Sequence, residues 1–151
     1  MGSYADEVEF IDGGVYMSKI AFIFPGQGAQ YVGMGKDIAE SYAEAGSIFD
    51  QASEALGYDM REMVFSGDAE KLMETEITQP AILTTSIACL QPFLLKGIIP
   101  DMTAGLSLGE YTAHVLSGTM SFKDAVRVTR KRGKYMQEAV PFGKGGMAAI
   151  M

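Results

Sequence analysis

The chain has 151 residues, 48% of them hydrophobic, and a formal net charge of −7. That length and apolar content fit one globular domain with a true core and exclude a disordered chain or a repeat array. The acidic balance argues against nucleic acid as the main partner, and the single cysteine, Cys89, excludes an internal disulfide framework and suits a reducing compartment.

Residues 1–16 are acidic and glycine-containing without periodicity, so they read as a tag-like or extended N-terminus, with Met17 as a natural start. They lack the basic-then-apolar order of a secretory signal. Lys19 to Phe24 is a short apolar run closed by Pro25-Gly26, which predicts a buried parallel strand. A glycine-rich turn follows, Pro25 to Gln30. Ile38, Tyr42, Ala45, Phe49, Ala52 and Leu56 recur three or four apart, predicting one helix over 36–56 that stops at Gly57. Asp68 is placed to cap a short helix near 69–74.

Thr78-Gln79-Pro80 predicts the start of the next helix, with proline in a tolerated first-turn position. That helix is apolar nearly all round, so it needs neighbours on every side, and Pro92 should kink it. Gln91, Pro92 and Lys96 interrupt it too soon for a membrane span. Cys89 lies within it and reads as a buried, inert thiol. These features predict a cytoplasmic protein with no membrane partner. Residues 101–105 then form the strand that feeds a turn.

That turn is Gly105-Leu106-Ser107-Leu108-Gly109, the G-x-S-x-G pattern of a nucleophile elbow. Glycines two residues either side of a serine let a strand turn sharply into a helix, here from about Leu108 to Leu116, leaving the hydroxyl at the helix N-terminus. The motif alone leaves two readings: an acyl-accepting nucleophile, or a serine that merely caps the helix. His114, the chain's sole histidine, lies seven residues on, about 10 Å along the helix axis. A general base needs hydrogen-bond contact, so His114 has no catalytic role. Glu110 suits the positive end of the helix. No histidine, cysteine or paired-carboxylate cluster has metal-ligand spacing.

A last helix is predicted over 122–138, with Ser121 and Asp124 as a capping box. At about 100° per residue from Phe122, Ala125, Val126, Thr129, Gly133 and Met136 form one apolar stripe, with Arg132 on its shoulder at about 280°. Lys123, Arg127, Arg130, Lys131 and Lys134 are assigned to the opposite face, leaving Arg132 as the one inward cation. An inward guanidinium needs an anion. It is either an internal acid such as Glu110 or a ligand's carboxylate. The five-cation face is either a solvated surface or a dock for an acidic partner. Residues 143–151 open as a glycine turn and end as an apolar strand. Strand, helix and strand in alternation imply a parallel α/β sheet. Two strands are too few to cover such a helix, so the chain reads as the front portion of a larger domain.

Phe24-Pro25-Gly26-Gln27-Gly28-Ala29-Gln30 resembles the opening motif of malonyl-CoA:acyl carrier protein transacylases. Thr78-Gln79-Pro80-Ala81, Ala104 to Tyr111, Arg132-Gly133, Met136 to Pro141 and Met147 to Ile150 follow in the family's order, so the likeness covers nearly all of 17–151. It implies a parallel-sheet α/β large subdomain similar to α/β hydrolases, incomplete here, over 17–142. It also implies the start of a ferredoxin-like small subdomain over 143–151. By resemblance Ser107 is the acyl acceptor, Gln27 and Leu108 give oxyanion-hole N–H groups, and Arg132 and Gln79 bind substrate. The malonyl group passes from malonyl-CoA to the phosphopantetheine thiol of acyl carrier protein, with no permanently bound cofactor. The resemblance places the family's catalytic histidine in a half absent from this chain, which implies weak or no activity for the chain alone. Many members carry histidine where this chain has Leu106, which reads as a packing variation. Two other readings stand beside the transferase. One is a non-catalytic piece that binds acyl carrier protein or a complementary subunit; the other is an esterase-like serine hydrolase.

Overall fold

The computed structural model describes residues 19–140 and 144–145. The extension expected at 1–16 lies outside the described residues, as does the strand expected within 143–151 apart from Lys144 and Gly145. Two strands, β1 (Ala21–Phe24) and β2 (Met102–Gly105), pair in parallel with Ala21 opposite Met102 and Phe24 opposite Gly105. Between and after them come α1 (Lys36–Ser41), α2 (Ala43–Leu56), α3 (Met60–Phe65), α4 (Ala69–Leu72), α5 (Thr75–Leu95), α6 (Gly109–Leu116) and α7 (Phe122–Ala139). No helix among the described residues is long and apolar enough to cross a membrane.

Helix α5 is the hub. Ile77 to Thr84, Ile87, Ala88 and Leu90 are all buried, as a helix apolar on every side requires. It packs against α7, α2, α6, α4 and α1. Phe49, Met60, Val64, Leu72 and Leu83 fill the centre, while the fully buried Ala45, Ala52, Ala81, Ala88 and Ala125 let helices approach closely. Where α7 crosses the start of α5, a Cβ on Gly133 would sit 2.3 Å from the Thr75 carbonyl oxygen. Only glycine permits that crossing.

Three local expectations need correction. The helix over 36–56 is two helices, broken at Tyr42 in extended conformation (φ −131°, ψ 118°). Its N–H closes α1 on Ile38 O and its own carbonyl accepts from Gly46 N, each at 3.0 Å, so one residue serves as both caps. Helix α5 starts at Thr75, not Thr78, and Pro80 lies inside it. The earlier turn holds because the N–H groups of Ile77 and Thr78 both donate to Glu74 O at 2.8 Å, and the Thr78 hydroxyl donates to Leu72 O at 2.6 Å. Helix α3 has no counterpart in the sequence reading, although Asp59 caps it by accepting from Glu62 N.

The sheet is as short of strands as the chain pattern predicts. Among the described residues it has two, and Ile23 on β1 is 77% exposed. An open apolar groove of about 410 Å³ runs along β1, lined by Phe22, Phe24, Ile82, Cys89, Leu90 and Phe93. Cys89 is therefore half-buried rather than enclosed, and burial still pushes its thiol pKa up.

Candidate active site

Strand β2 ends at Gly105, and Leu106 N–H still donates to Phe24 O at 3.1 Å. The chain then turns at Ser107, whose φ of 52° is the one positive φ outside glycine among the described residues. That conformation costs a side-chain-bearing residue about 1–2 kcal/mol and persists only because its surroundings enforce it. A Cβ on Gly109 would lie 2.3 Å from Phe24 O, and one on Gly105 would lie 1.9 Å from the Gly109 carbonyl carbon. The two motif glycines thus let β1, the turn and α6 share one small space. Ser107 is left exposed at the start of α6. It does not cap that helix, which has no side-chain cap. Instead its Oγ accepts from Arg132 Nη2 at 3.1 Å.

The glycine-rich loop after β1 stands beside this elbow, since a Cβ on Gly26 would come 2.7 Å from Leu106 O. Among the described residues, neither the Gln27 nor the Leu108 backbone N–H donates to another protein group. The loop is held from behind: Gln27 Nε2 donates to Thr75 Oγ1 at 3.3 Å and Gly28 N–H donates to Gln30 Oε1 at 2.8 Å. Gln30 Nε2 also reaches Met73 Sδ at 3.0 Å. This bracing role of Gln30 went unread in the sequence, although its position in the loop motif marked it.

Arg132 comes to the elbow on α7. Its Nη1 donates to Gln79 Oε1 at 2.6 Å, and its guanidinium lies over the Tyr111 ring, 5.8 Å from the centroid. Gln79 is wholly buried, and its amide donates to Met136 Sδ at 3.3 Å. The internal-acid alternative fails, because among the described residues Arg132 has no carboxylate within 4 Å, Glu110 included. A half-buried cation thus meets a neutral amide, a hydroxyl and an aromatic face.

The assignment of Arg132 as the lone inward cation is corrected. Arg130 also packs inward, with Nε on Glu76 Oε1 and Nη1 on Leu56 O, both at 3.0 Å, and its guanidinium over Tyr58. Arg130 lies about 80° to one side of the Phe122 direction and Arg132 about 80° to the other, so both shoulders point inward. The rest of the basic face is largely neutralised. Lys123 pairs with Glu54, Arg127 with Asp124 and Lys134 with Glu138. This gives little support to a cationic dock.

His114 sits in the last turn of α6, away from Ser107, beside a polar cavity of about 460 Å³ that it lines with Thr103, Glu110 and Ser117. Leu106 is 72% exposed beside the Gly26 loop, so it is a surface residue at the site and not a packing variation. Among the described residues no three His, Cys, Asp or Glu side chains gather closely enough to hold a metal ion.

Residues 21–151 match the family model described as an acyl transferase domain. The chain belongs to that family. As an acyl transferase domain it is 57% identical, over 135 residues, to the malonyl CoA-acyl carrier protein transacylase of Bacillus subtilis, covering 89% of this chain and 43% of that protein. The Escherichia coli K12 protein of the same name is 52% identical over 136 residues, covering 89% and 44%. The crystal structure of the Clostridium perfringens transacylase superposes with a TM-score of 0.80 at 48% identity, over 83% of this chain and 40% of that one. A further structure, a malonyl-transacylase in complex with a type II polyketide acyl-carrier protein, gives 0.79 at 46% identity, over 82% and 40%. The chain therefore spans about two-fifths of the length of these relatives. Within that span it has the relatives' α/β fold.

Proposed function

We propose that the activity to which this acyl transferase domain contributes is transfer of a malonyl group from malonyl-CoA to the phosphopantetheine thiol of acyl carrier protein, in fatty-acid or polyketide synthesis in the cytoplasm. One observation carries the reading: the Arg132 guanidinium rests on Ser107 Oγ and, among the described residues, has no acid of its own. Ser107 Oγ attacks the thioester carbonyl, a base takes the hydroxyl proton, and coenzyme A leaves as the thiol once protonated. Backbone N–H groups of Gln27 and Leu108 hold the tetrahedral oxyanion. Arg132, steadied by Gln79, holds the free carboxylate of the malonyl group, which acetyl lacks. The carrier thiol then attacks the acyl-serine ester, and Ser107 recovers its proton. The same guanidinium favours transfer of a dicarboxylic acyl group over general ester hydrolysis.

A second reading, a binding piece without turnover, is favoured by the position of His114, the chain's single histidine, at the far end of α6. Without a base at Ser107, acylation of this chain is slow. Incubation with labelled malonyl-CoA and mass analysis of the Ser107 peptide separates the two. A malonyl adduct absent from Ser107→Ala supports the transferase reading. No adduct, in a chain that still binds acyl carrier protein, supports the binding piece.

A further inference from the structure

Two arginines, one turn-half apart on α7, use the same arrangement with one difference. Arg130 lies over Tyr58, 5.5 Å from the ring centroid, and Glu76 supplies its carboxylate. Arg132 lies over Tyr111 at 5.8 Å, and a neutral amide and the nucleophile's hydroxyl fill its other sides. Both distances fall within the roughly 6 Å reach of a cation–π contact. Tyr111 belongs to the first turn and a half of α6, its N–H donating to Leu108 O at 3.1 Å, so its ring is fixed to the elbow's own backbone. Its body is half-buried and packs against the core.

We propose that Tyr111 is a positioning residue: its ring holds the Arg132 guanidinium where it can reach both Ser107 and an incoming carboxylate. This rests on reading Arg132 as a carboxylate receptor. Arg132 has a long, rotamer-rich side chain, and two neutral hydrogen-bond acceptors leave one of its faces unrestrained. The ring closes that face without neutralising the charge, which an acid in its place would do. The ring face does this work and the hydroxyl does not, so phenylalanine should serve equally.

The test follows the Arg132 Nε–Hε group by NMR in the full chain, with Tyr111→Phe and Tyr111→Leu. Hydrogen exchange of that group is read without ligand, and malonate is then titrated against acetamide, which has no carboxylate. Phe should match the wild type in both. Leu should speed exchange and weaken malonate about fivefold each, leaving acetamide unchanged. Amide shifts of Thr112 and Val115 report whether α6 is intact; if Leu disrupts it, Tyr111→Met takes its place. Exchange unchanged in an intact Leu or Met variant overturns the proposal. Faster exchange in a chain that ignores malonate supports the positioning role and overturns the carboxylate reading of Arg132 instead.

Discussion

Arg132 faces Gln79 and not an acid: Nη1 to Oε1 is 2.6 Å, and Gln79 is fully buried. Two residues earlier, Arg130 meets Glu76 at 3.0 Å. The amide orients the guanidinium without neutralising its charge. Gln79→Glu, at nearly the same volume, would supply the missing carboxylate internally and repel another. The ratio of malonyl to acetyl adduct on Ser107, read by mass spectrometry, should then fall by about tenfold or more, or about 1.4 kcal/mol of discrimination. An unchanged ratio would remove Gln79 and Arg132 from selectivity together.

Ser107 stores backbone strain in the turn. At φ 52° a β-carbon is unwelcome, so glycine relieves a penalty that alanine retains. Ser107→Gly and Ser107→Ala both lose the bond from Arg132, so their difference isolates the backbone. The glycine variant should be more stable than the alanine variant by about 1 kcal/mol in urea unfolding, the reverse of the order in a helix. Equal midpoints would mean the turn is relaxed at Ser107.

The elbow was readable in the sequence because its cause is local: two missing β-carbons at fixed spacing and an apolar strand ahead of them. The caps at Asp68 and Ser121 were readable for the same reason, and both accept backbone N–H groups as expected. What escaped notice depends on more distant neighbours or on a preference that context overrode. Tyr42 breaks a helix without glycine or proline to mark it. Pro80 drew the start of α5 three residues too late, although Thr78 and Glu74 secure a turn before it. Arg130 stands on α7 at about 80° from Phe122, the mirror of Arg132 but beside Lys123 at about 100°, so its position alone does not separate it from the basic face. No reading of one strand reveals that Thr75 braces Gln27, because the two lie 48 residues apart.

Replacing the motif glycines tests the close approach directly. In Gly109→Ala the new methyl meets two backbone carbonyl oxygens, Phe24 O at 2.3 Å and Pro25 O at 2.9 Å, and neither can swing aside like a side chain. Such overpacking should cost about 3 kcal/mol or more. Gly118→Ala is the contrast, since its φ is 75° but nothing lies within 4 Å of the new methyl, so only the conformational cost of about 1 kcal/mol remains. If the two variants unfold at the same denaturant concentration, β1 and α6 do not meet as described.

Tyr58 gives the chain an alkaline limit. Burial raises its phenol from 10.0 to about 12, outweighing the opposing pull of the Arg130 cation above its ring, and Glu76 adds to the rise. The folded chain therefore holds this proton more tightly than the unfolded chain. The resulting stabilisation is complete below about pH 10 and is lost as pH climbs toward 12. The rise from 10.0 to about 12 corresponds to about 3 kcal/mol in full. The hydroxyl is buried and, among the described residues, has no hydrogen-bond partner, so Tyr58→Phe should be neutral or stabilising by about 1 kcal/mol near pH 7. Above pH 10 the variant should pull further ahead, since it has no phenol to ionise. Unfolding midpoints measured for both chains from pH 7 to 11.5 check this. Curves that stay parallel across that range would show that Tyr58 ionises as freely in the fold as outside it.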